Sequence, residues 1–107
     1  MHYYKKRTKR ETMNNLEFIA TYIHNNPANA TFGEIRMHLM LWKGHTVEDC
    51  MCKRKRGQYT TYFSKRYPYR GTLWDKDPTD RNSPYRLLEK GKELVVKDEQ
   101  NDYNKNA

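Results

Sequence analysis

Long apolar runs are missing from this sequence: no stretch of even ten consecutive apolar residues occurs. A membrane-spanning helix needs about 20 such residues, so neither a span nor a secretory leader is expected. Cysteine is scarce as well. Cys50 and Cys52 are the two present, one residue apart and too close for a useful structural disulfide, which suits a reducing, cytoplasmic setting. Catalytic signatures are absent too: there is no phosphate-binding glycine loop, no Gly-x-Ser-x-Gly, no His-Glu-x-x-His and no pairing of carboxylates suited to acid–base work. Neither an enzyme nor a cofactor is expected. His45, Cys50 and Cys52, taken with His24 or His38, lack the spacing and the second ligand pair of a zinc site, so no metal is expected either.

What is abundant is positive charge. The 107 residues carry 21 Lys and Arg against 13 Asp and Glu, a formal +8, with 36% hydrophobic and 32% charged residues. That length and composition suit one small domain with a modest core. The charge is clustered: residues 1–10 carry +5, 11–42 carry −2, 43–70 carry +6, 71–88 balance and 89–107 carry −1. Two basic blocks set among nearly neutral segments are the footprint of a polyanion partner. The competing explanation is a solvated surface. No basic stretch is backed by a continuous apolar helix face, so membrane binding is not expected.

The basic arm of residues 1–10 holds Lys5, Lys6, Arg7, Lys9 and Arg10 without apolar periodicity. Thr12 is placed to cap a first helix whose inner face is Met13, Leu16, Ala20 and Ile23, widened by Phe18, Ile19 and Tyr22, with Asn25, Asn26 and Pro27 ending it. Thr31 and Glu34 form a capping box for a second helix with the stripe Phe32, Ile35, Leu39 and Trp42. Arg36 and His38 are expected to face outward, and Gly44 to close the helix. Thr46 with Asp49 suits a short turn, and Lys53–Arg56 reads as a basic loop or helical entry. Tyr59, Tyr62, Phe63 and Arg66 then lie at helical spacing, which predicts a third helix with an aromatic inner face. A strand over Thr72–Asp75, a turn-rich loop over Lys76–Pro84 and a returning strand at Tyr85–Leu87 follow. Lys90–Lys97 reads as a last helix with Leu94 and Val95 inward. The polar tail of residues 98–107 is expected to be disordered.

This order, with Arg70-Gly71-Thr72-Leu73-Trp74 and Tyr85-Arg86-Leu87-Leu88-Glu89-Lys90-Gly91-Lys92-Glu93-Leu94, resembles a winged helix-turn-helix domain over roughly residues 12–97. Leu88 stands where that family usually has a capping Thr. The Lys43–Arg56 segment between the second and third helices is also longer than usual. It is either a basic insertion or a third helix that begins early, near Thr46. The resemblance implies an α+β, mostly helical fold of three helices, a two-stranded wing and a short C-terminal helix.

It also implies a small DNA-binding protein, either sequence-reading or architectural, in the manner of a transcriptional regulator. The lack of a ligand domain suits a phage or mobile-element factor. Gln58, Thr60, Thr61, Ser64 and Lys65 on the third helix would face the major groove. Lys53, Arg54, Lys55, Arg56, Arg66 and Arg70 would meet phosphates. Arg81 and Asn82 stand at the tip of the wing, near the repelling Asp75, Asp77 and Asp80. The arm is suited to a minor groove. Two other classes remain open: an adaptor or inhibitor gripping an acidic host protein, and a single-strand or RNA binder stacking bases on Tyr67 and Tyr69. The class allows a homodimer, although the last helix offers few apolar residues for one.

Overall fold

The computed structural model describes residues 13–97. The arm with Lys5, Lys6, Arg7, Lys9 and Arg10, the Thr12 cap and the polar tail lie outside the described residues. Within them the chain is α+β and about half helical, less than the mostly helical fold expected, with one two-stranded antiparallel sheet.

Helix α1 spans Asn15–Asn25 and is capped by Asn14, two residues beyond the expected cap. The Asn14 side chain accepts the Glu17 amide at 2.8 Å while Glu17 Oε1 accepts the Asn14 amide at 3.0 Å, a reciprocal box. Every residue from Phe18 to Ile23 is buried, so the helix is embedded rather than laid on a surface. Its end needs no left-handed asparagine, because the Asn26 side-chain amide donates to the Tyr22 carbonyl at 3.0 Å.

Helix α2, Phe32–Trp42, starts where Thr31 Oγ1 accepts the Glu34 amide. Glu34's own carboxylate stands 3.7 Å from His38 Nε2, across one turn. Trp42 stacks on Phe18 at 4.6 Å and locks α2 to α1. Gly44, at φ 102°, ends α2 as expected. The His45 amide bonds the Met40 carbonyl and the Gly44 amide that of Leu41, closing the last carbonyls in a Schellman turn.

The continuous third helix over 58–66 does not form. Helical structure begins earlier and comes in pieces: α3 at Val47–Cys50, α4 at Lys53–Gly57, and a 3₁₀ turn at Thr60–Phe63. Thr46 and Asp49 make the box that starts α3. The break after Gly57 has a tertiary cause. Phe63 is buried against Phe32 and Tyr85, the Trp74 indole donates to the Tyr62 carbonyl at 2.9 Å, and Asn15 Nδ2 donates to the Tyr62 hydroxyl at 3.0 Å. These anchors hold the segment in the narrower, more extended winding of a 3₁₀ turn, with fewer residues per turn than an α-helix.

Strands β1, Trp74–Asp75, and β2, Arg86–Leu87, pair antiparallel with Trp74 opposite Leu87. Trp74 is fully buried at the centre of the core. Helix α5 covers only Glu89–Lys92, shorter than the expected Lys90–Lys97. Beyond it the Val96 amide donates to the buried Thr21 hydroxyl at 2.9 Å, which takes that amide out of any helical ladder.

Candidate nucleic-acid interface

Helix α4 is four consecutive cations and a glycine, Lys53-Arg54-Lys55-Arg56-Gly57. Such a turn works against itself: Lys53 and Arg56 are like charges one turn apart, and cations at a helix start oppose the dipole. Its fixed points lie on either side. Lys55 Nζ reaches Asp49 Oδ1 at 2.7 Å, and the Arg56 amide donates to the Cys52 carbonyl. The Lys55 bond, then the Thr46 amide, hold the Asp49 carboxyl well below the usual carboxylate range, and the same contact raises Lys55. His45 completes this corner, 3.4 Å from Asp49 and 2.9 Å from the Tyr59 hydroxyl.

Lys53 and Arg54 are left exposed, and Arg56 half-buried, without a carboxylate partner among the described residues. Arg36, expected to point to solvent, is instead half-buried with its guanidinium 4.5 Å over the Phe32 ring. Burial pushes Arg36 below its ordinary value and the Arg56 charge adds to this, so α2 adds a third arginine to the two of α4. His38 is not outward either: it lies against Tyr22 at 4.9 Å, and burial lowers it more than Glu34 raises it.

The residues expected to read bases are divided. Gln58 and Lys65 are exposed, whereas Thr60, Thr61 and Ser64 are half-buried; Arg66, expected to meet phosphate, is exposed. Thr60 Oγ1 donates to the Arg56 carbonyl, and Ser64 Oγ accepts the Arg66 amide. Since 58–66 is no helix, these side chains do not share one helical face. Sequence reasoning missed Val47 and Met51, which stand exposed at 57% and 75% one turn apart beside the basic run. Their i, i+4 spacing without an apolar companion is the signal that was there to read. Tyr67 is exposed, while Tyr69 packs on Tyr62 at 5.3 Å.

Arg70 is drawn into the hairpin. Its Nε donates to Asp75 at 3.2 Å, its guanidinium lies 5.7 Å from the Tyr85 ring, and its side chain is only 14% exposed. Burial works to raise the Asp75 carboxyl, but the Lys76 amide and Arg70 hold it below its ordinary value. The hairpin loop spends its other acids on itself. Asp77 accepts the Thr79 hydroxyl and amide, and Asp80 accepts the Asn82 amide. Lys76 Nζ donates to the carbonyls of Asp80 and Arg81, both at 2.9 Å, leaving Arg81 and Asn82 exposed at the tip.

The two cysteines differ. Burial pushes the Cys50 thiol up, whereas backbone amides of Lys55 and Arg54 lower Cys52 at the start of α4. Among the described residues no three His, Cys, Asp or Glu side chains group as metal ligands, and no helix is long and apolar enough to cross a membrane. Comparison with protein-family models, with curated proteins and with solved structures finds no match.

Proposed function

We propose that this chain is a small DNA-binding protein of winged-helix architecture, acting on duplex DNA mainly through its phosphates, as a regulator or an architectural factor. The observation that carries the reading is the basic turn α4. Lys53, Arg54 and Arg56 are held together without carboxylate partners among the described residues, with Arg36 brought alongside. A duplex carries one negative charge per ~1.7 Å of axis; its phosphates would offset that repulsion, and release of its condensed counterions would favour binding.

Element order supports the architecture: two packed helices, a third helical region and a hairpin with a short helix behind it. The third region that would approach the groove is α3–α4, in place of 58–66. It presents Val47 and Met51 for apolar contact with thymine methyls, and Lys53 and Arg54 for phosphates or guanine. Gln58 is the exposed amide in line with them. With the Thr60 hydroxyl donating to the Arg56 carbonyl, and Thr61 and Ser64 half-buried, base-reading donors are few, which favours weak sequence preference.

The test is charge reversal. Lys53→Glu with Arg54→Glu, both at exposed positions, should abolish retardation of a random 20–30 base-pair duplex (roughly the size of a bent site) while circular dichroism stays unchanged. Retained retardation sinks the reading. No retardation by the parent chain, together with capture of an acidic protein by the same face, would replace DNA with a protein partner.

A further inference from the structure

A cleft of about 800 Å³ opens between the start of α2, the 3₁₀ turn and the hairpin loop. Roughly 300–1,000 Å³ is the size of sites that take small molecules. Its lining combines three cations, Arg70, Lys76 and Arg81, with the rings of Phe32, Phe63 and Tyr85, and includes no carboxylate residue. We propose that this cleft binds a single nucleotide, with the phosphate on the cations and the base or sugar on the aromatic floor.

Lys76 and Arg81 have no carboxylate partner among the described residues, whereas Arg70 shares its charge with Asp75. Lys76 is held by two backbone carbonyls, which fix its position without neutralising it. Arg70 gives its Nε to Asp75, and among the described residues its terminal nitrogens make no further hydrogen bond. Arg81 is exposed at the rim. A phosphate, with its several acceptor oxygens, would meet Lys76, Arg81 and the terminal nitrogens of Arg70 together.

The floor is built by edge-to-face packing, Phe32 on Phe63 at 5.3 Å and Phe63 on Tyr85 at 5.1 Å. Tyr85 carries an independent indication. It is only 3% exposed, yet its hydroxyl has no hydrogen-bond partner among the described residues. Buried tyrosine hydroxyls usually find one, and a ligand in the cleft would supply it. Duplex binding through α4 does not fill this cleft, so the two proposals stand or fall separately.

The experiment is an amide NMR titration of the full chain with thymidine monophosphate, thymidine and inorganic phosphate in turn, with a duplex titrated in parallel. The monophosphate should move the amides of Gly33, Thr60, Arg81 and Asn82 saturably. Thymidine and phosphate alone should bind at least ~10-fold more weakly, and Arg81→Ala and Tyr85→Phe should each weaken the monophosphate about 10-fold, the value of one charge-assisted or buried hydrogen bond. Arg81→Ala, at an exposed position, keeps the test valid if Tyr85→Phe alters the core. No saturable shift at those amides overturns the proposal. So does inorganic phosphate binding as well as the nucleotide, or shifts confined to residues 53–56, where the duplex is expected.

Discussion

The backbone amide of Tyr85 donates to the carbonyl of Ala30 at 2.7 Å. Successive amides of an antiparallel strand point to opposite edges. Leu88 gives its amide to Leu73 on the β1 side, so Tyr85 points to the outer edge of β2, where the segment leading into α2 adds a one-residue rung. That rung fixes the hairpin against the start of α2 and thereby shapes the cleft. In hydrogen exchange, the Tyr85 and Leu88 amides should be among the slow ones, and those of Thr79 and Asn82, bonded only within the exposed loop, should exchange far faster. Equal rates would mean the hairpin opens independently of the helices.

Gly91 is buried, and a Cβ there would run into the carbonyl oxygen of Leu73. The glycine of the Tyr-Arg-Leu-x-x-x-Gly pattern is thus a close-approach residue, letting α5 lie on the strand. Gly91→Ala should cost about 2–3 kcal/mol, as overpacking against backbone does, a drop in Tm on the order of 10–20 °C. An unchanged Tm would show that α5 is free to move away.

Asp49 lies below its ordinary value in the fold because Lys55 first, and then the Thr46 amide, favour its charged form. Its stabilisation is therefore complete above the unfolded carboxylate value of about 3.9. It is lost as pH falls below that value toward the lower folded one. Asp49→Asn should lower the Tm at pH 7 and flatten the decline between about pH 4 and pH 2 relative to the parent. A parallel acid limb in both proteins would contradict the assignment.

Glu48 is an exposed acid on α3, beside the cations that would meet DNA. Removing it with Glu48→Gln should tighten duplex binding two- to five-fold at low salt, an effect that fades as salt screens the surface. Fluorescence anisotropy with a labelled duplex measures this. Weaker binding would place the duplex on another face.

What the sequence made legible was local. The Gly44 turn, the Thr46–Asp49 box and the hairpin rest on neighbouring residues, so spacing alone identified them. The third helix was misplaced because its aromatic spacing comes from three separate anchors, Phe63 in the core, Tyr62 to Asn15 and Trp74, and not from one helical face. The last helix was overextended because nothing nearby in sequence reveals that Thr21 takes the Val96 amide. In the site, the basic run was visible as composition. Arg36 and Lys76 were not, since one reaches α4 by the packing of α2 on Phe32 and the other is aimed by loop carbonyls.

The central claim is that α4 is a phosphate clamp, and the most direct measurement is the salt dependence of duplex affinity for the parent and for the Lys53/Arg54/Arg56→Ala variant. Each phosphate contact contributes about 0.9 to the slope of log affinity against log salt. The variant should bind more weakly at every salt concentration, with a slope shallower by roughly 2–3. Identical slopes, or no duplex binding by the parent at low salt, would contradict the account.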